Sequence, residues 1–97
     1  MKLIDERQLQ LARNKLFELL GMVKGQDNLP KKELVRIYNN LGVCFNNPKE
    51  KGGDYDQAIK FFLLALEHDG SFAKAKVNLS AAYLNQNGIR NAKRAYD

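Results

Sequence analysis

His68 and Cys44 are the only imidazole and the only thiol in the chain. Held together, such groups would form an activated nucleophile and its base. They stand 24 residues apart on segments that read as different helices, and no nucleophile signature flanks the cysteine. Cys44 therefore reads as a small packing residue. His68 falls near the end of a helical segment, where a positive charge favours the helix dipole. The carboxylate pairs Asp5/Glu6 and Asp54/Asp56 fall at helix starts, which accounts for them without acid–base chemistry. Gly52–Gly53 lacks the lysine and the serine or threonine that a phosphate-binding loop needs. No metal-ligand spacing occurs. The chain is expected to be no enzyme and to need no cofactor or metal.

The elements that carry these residues are helical, and no strand pattern is convincing. The apolar residues Leu9, Ala12, Leu16, Leu19 and Val23 recur at three-to-four spacing and predict a helix from about Leu3 to Val23. Gly25 and the polar GQDNLP end it. Pro30 suits the first turn of a second helix, whose Leu34, Ile37, Tyr38, Leu41 and Phe45 share one face. NNPKEKGG, from Asn46 to Gly53, reads as a loop. Asp54 is a natural N-cap with Gln57 three residues on, ahead of the third helix YDQAIKFFLLALEH. Gly70 stops that helix and Ser71 can cap a fourth, FAKAKVNLSAAYLNQ. Asn87–Gly88 predicts a turn, and IRNAKRAYD a fifth helix.

Ninety-seven residues make one small domain of ordinary globular composition, 44 % hydrophobic and 28 % charged. The net charge of +5 favours acidic partners over basic ones. Its densest groups are Lys31, Lys32 and Arg36, and Arg90, Lys93 and Arg94. A single cysteine excludes an intrachain disulfide. The charged N-terminus is no signal-peptide core, and FFLLAL, the longest apolar run, is too short to span a bilayer. A cytoplasmic location, away from membranes, is the expectation.

The second and fourth helices match each other. Leu41 aligns with Leu79 at a separation of 38 residues, and at that offset Arg36 meets Lys74, Asn40 meets Asn78, Cys44 meets Ala82 and Phe45 meets Tyr83. Ala58 and Phe62 have the spacing Ala-x3-aromatic, as do Ala92 and Tyr96. Tyr38-x2-Leu41-Gly42-x2-Phe45 followed by Ala58-x3-Phe62 resembles the tetratricopeptide repeat. Lys76-x2-Leu79-Ser80-x2-Tyr83 followed by Ala92-x3-Tyr96 is similar, with Lys76 in place of a large apolar residue. The first copy's loop is four residues longer, a spacing also found in related helical repeats with extended hairpin loops. Small residues at Gly42, Ser80, Ala58 and Ala92 would let paired helices approach closely.

The resemblance implies an all-α fold of antiparallel helical hairpins stacked as a short right-handed solenoid of about five helices. It divides the single domain into an N-terminal helix and loop (1–33), a first hairpin (34–72) and a second, truncated one (73–97). It further implies a concave groove lined by the leading helix of each hairpin. The asparagine before each motif leucine, Asn40 and Asn78, would hydrogen-bond the main chain of an extended peptide, since an amide both donates and accepts. Helical spacing puts Arg36, Asn40, Val43 and Asn47 on one stripe and Lys74, Asn78, Ala81 and Asn85 on its counterpart, with Asn39 beside the first.

The expected function is a protein-interaction module, an adaptor binding an acidic or C-terminal segment of a partner protein. Structural self-association is the alternative. FFLLAL leaves the third helix apolar nearly all round, so the N-terminal helix, a second subunit or helices beyond Asp97 should cover its outer side. A basic helical-repeat nucleic-acid binder is a third reading. It lacks a stacking platform, because Tyr38, Phe45, Phe62 and Tyr83 are all expected at motif core positions, so no nucleic acid is expected.

Overall fold

The computed structural model describes residues 6–26, 30–46 and 54–96, with side chains described within residues 8–87. The described residues form four α-helices and no strand: α1 (Glu6–Lys24), α2 (Lys31–Phe45), α3 (Tyr55–His68) and α4 (Ala73–Tyr96). Of the loop expected from Asn46 to Gly53, residues 47–53 lie outside them. No described helix is long and apolar enough to cross a membrane.

The starts of α2 and α3 have local causes. Pro30 precedes α2 as its N-cap rather than entering the first turn, and its carbonyl accepts from the Leu34 amide at 3.1 Å. The Asp54 carboxylate accepts from the Gln57 amide at 3.1 Å, satisfying one of the free donors at the start of α3. Ser71, expected to cap α4, turns backwards instead: its amide and hydroxyl both donate to Asp69 Oδ1, at 3.1 and 2.7 Å. That closes the short turn between α3 and α4.

Contacting pairs give the topology. Lys24 lies over the Tyr38 ring, and seven residues further along α2, Phe45 meets Phe17, seven residues back along α1. Likewise Tyr38 stacks on His68 and Phe45 on Phe61, seven residues back along α3. Both neighbours of α2 are therefore antiparallel to it. The core has two parts: one where α1, α2 and α3 meet, with Leu34 and Leu41 wholly enclosed, and one between α2, α3 and α4, where Phe62 is enclosed with Ala58 and Ala82. A Cβ on Gly42 would lie 2.3 Å from the Phe62 ring, so only glycine permits this approach of α2 to α3. Phe61 is covered from the α1 side by Phe17, with ring centroids 5.9 Å apart. Of the apolar run on α3, Leu63 alone is exposed, and Ile59, Leu64 and Leu66 are half-buried. Arg13 of α1 donates to the Cys44 carbonyl at 3.1 Å and places its guanidinium 4.3 Å from the centre of the Phe45 ring.

Among the described residues four helices stand in place of the expected five. The backbone of α4 stays helical through Asn87–Gly88, where a turn was predicted. With no hairpin formed there, the second set of motif residues has no following helix to pair with among the described residues, and Leu79 packs instead against Ala58 and Phe62 of α3. Tyr38 and Gly42 are buried, but their counterparts Lys76 and Ser80 are exposed, and Tyr83 is 42 % exposed rather than in the core.

Candidate functional site

Two amide pairs join α2 to α4. Asn78 Nδ2 donates to Asn39 Oδ1 at 3.0 Å, and Asn85 Nδ2 donates to Asn46 Oδ1 at 3.1 Å. Each pair spans 39 residues. A constant difference, kept over seven residues on both helices, makes α2 and α4 parallel and in register for two turns. Asn39 is the only buried polar residue of the described core, at 6 % exposure. Its carbonyl would be expensive to bury without a donor, and Asn78 supplies one.

The contact separation exceeds the sequence repeat by one residue. Adjacent parallel helices touch with opposite flanks, so position 39 faces 78 rather than its own equivalent, 77. This resolves the adjacent asparagines of α2. Asn39 serves the α2–α4 seam, and Asn40, one hundred degrees round the helix, is exposed.

The sequence-derived site residues accordingly separate. Arg36, Asn40, Val43 and Lys74 are exposed; Ala81 is half-buried. Asn39, Asn78 and Asn85 belong to the seam between the helices. Asn47 lies outside the described residues. Above the seam, the outward stripes of α2 (Arg36, Val43) and α4 (Lys74, Ala81) run side by side.

At the N-terminal end of this face lies a shallow cavity of about 140 Å³ lined by Lys32, Val35, Arg36, Asp69 and Phe72. Because α2 and α4 are parallel, both helix N-termini, with their positive dipole ends, lie at this end. Lys32, Arg36 and Lys74 add formal charge of the same sign. Asp69 opposes them; its carboxyl is held below the ordinary value by the Ser71 hydroxyl and amide, with Lys76 assisting. Such an end can receive an anionic group beside the apolar Val35 and Phe72. Sequence periodicity missed Asn46, Asp69 and Phe72, which lie in or beside connections. Lys32 was legible only as one of a basic group, four residues before Arg36. Among the described residues no three of His, Cys, Asp and Glu could share a metal ion.

No protein-family model, no curated protein and no solved structure matches the chain.

Proposed function

We propose that the chain is a protein-interaction module of tetratricopeptide type that binds an acidic, extended segment of a partner along the α2–α4 face. The acidic end of the segment sits at the Lys32–Arg36–Phe72 cavity, and Val43 and Ala81 contact its apolar side chains. The observation that carries this reading is the pair of cross-helix amide bonds with a common separation of 39 residues. They make the leading helices parallel, which gathers three cations and two helix N-termini at one end. The main-chain-reading role expected of Asn78 gives way to a structural one, since its amide is engaged by Asn39. Asn40 keeps the freedom to contact a ligand. Binding should be about micromolar, because a few exposed charges and neutral hydrogen bonds leave little after association costs.

The test is fluorescence anisotropy with a short acidic peptide carrying a free or an amidated C-terminus, against wild type and Arg36→Glu/Lys74→Glu. Support would be binding that weakens about tenfold in the double variant, as expected for two exposed charge reversals. Weaker binding of the amidated peptide would assign the cavity to a terminal carboxylate. Binding unaffected by the reversals would refute the site. A labelled single-stranded RNA tests the nucleic-acid reading, to which the exposed Tyr83 gives one stacking surface.

A further inference from the structure

The outer side of α4 carries the two most exposed large apolar side chains of the described residues. Leu84 is 71 % exposed and Val77 68 % exposed, seven residues apart on one stripe with the small exposed Ser80 between them. By the 38-residue repeat they are the equivalents of Asn46 and Asn39, the positions through which α2 seats α4. The flank of α4 built to receive the next helix thus carries valine and leucine and has no helix on it among the described residues.

Charge marks the same surface. The thirteen residues from Val77 to Ile89 contain no charged side chain, in a chain that is 28 % charged. Exposed helix faces in a monomer are normally charged, whereas the centres of protein interfaces are depleted of charge.

We propose that this face is a homodimer interface in which α4 packs antiparallel on α4 of a second copy, with the two-fold axis between Ser80 and Ala81. In that arrangement Val77 lies opposite Leu84 of the second copy, and Leu84 opposite its Val77. The small, exposed Ser80 beside the axis lets the helices approach closely. Lys74 falls opposite Asn87. A parallel pairing would set Lys74 against Lys74 and Lys76 against Lys76, so like-charge repulsion selects the antiparallel one. Head-to-tail stacking of copies is disfavoured, because it would bring the exposed Asn40 flank of α2 onto Val77 and Leu84 and strand amides against apolar groups. The interface is self-complementary in the antiparallel form only. A single helix pair buries less than the ~800 Å² per partner of a standard interface, so the dimer is weak, with Kd of about 10–500 μM.

Sedimentation equilibrium of the full chain, from about 5 to 500 μM, reads the association directly. Wild type should show a reversible monomer–dimer equilibrium. Leu84→Glu should weaken it at least about tenfold, because a carboxylate would be buried against Val77 without a partner. Leu63→Glu, which charges the exposed leucine of α3, should leave it unchanged. Circular dichroism must show unaltered helicity in both variants. Ser80→Cys, at the axis, should form an interchain disulfide under mild oxidation, and wild type, with only the buried Cys44, should not. A strict monomer at the highest concentration overturns the proposal and leaves the face to a helix of another protein. A dimer that responds to Leu63→Glu and ignores Leu84→Glu, or one in which Ser80→Cys fails to cross-link, also overturns it. Leu84→Glu leaves Arg36 and Lys74 in place, so loss of dimerisation with peptide binding retained separates this proposal from the one above.

Discussion

Asn78 reaches across from α4 to give its amide hydrogen to the Oδ1 of Asn39, a side chain almost sealed inside α2. The bond removes the penalty of an unsatisfied buried carbonyl, so the two residues should be energetically coupled. Asn39→Ala and Asn78→Ala should each lower unfolding free energy by about 1–2 kcal/mol in urea titrations. The double variant should lose less than the two losses added together, by about 0.5–1.5 kcal/mol. Strict additivity would show that the seam contributes nothing specific.

Glycine substitutions should have opposite signs at two positions. Gly21 lies inside α1 with nothing within 4 Å of an added Cβ, so Gly21→Ala should stabilise by about 0.5–1 kcal/mol through helix propensity. At Gly42 the added methyl would meet the fully buried Phe62 ring, and Gly42→Ala should destabilise by about 1–3 kcal/mol. Thermal denaturation of the two variants reads both signs.

Continuity of α4 makes its own prediction. Because residue 88 is helical, Gly88→Ala should raise the melting temperature and the helical content, by about 0.5–1 kcal/mol in stability. In an Asn–Gly turn the same change would be destabilising, because alanine resists the left-handed conformation such turns use. A lowered melting temperature would restore the hairpin.

The turn between α3 and α4 should respond to acid. Asp69 titrates below its ordinary value of 3.8 because the Ser71 hydroxyl and amide donate to the ionised carboxyl. A depressed folded-state value stabilises above the unfolded value, and that contribution disappears as pH falls through the folded one. The melting-temperature difference between wild type and Asp69→Asn should hence be constant above about pH 5 and shrink as pH drops below about 4. A difference independent of pH would show that the Ser71 contacts do not favour the ionised form.

Much of the fold is legible because it rests on strong local periodicity. The stripe Leu34–Ile37–Tyr38–Leu41 marks the buried face of α2, and Asp54 with Gln57 marks the start of α3. Two things escaped. Asn87–Gly88 carries the strongest short turn signal in the chain, yet a glycine in a helix costs only about 1 kcal/mol, which continued backbone bonding can offset. Tyr83 followed: without a hairpin there is nothing described for its ring to pack into. The seam escaped for a geometric reason. A repeat aligns Asn40 with Asn78 because they are equivalent, but side-by-side helices touch through non-equivalent flanks, and the touching residue is Asn39.

The Arg13 contacts bear on where the molecule can be shortened. Its guanidinium covers Phe45 and holds the last turn of α2, and Phe17 shields Phe61 beside it. A chain trimmed back to Pro30 would keep every residue of the paired repeat helices. It would also bare the shared surface of Phe45 and Phe61 to water, a patch that invites clumping. The smallest piece able to stand alone therefore includes α1, although no motif residue lies on it.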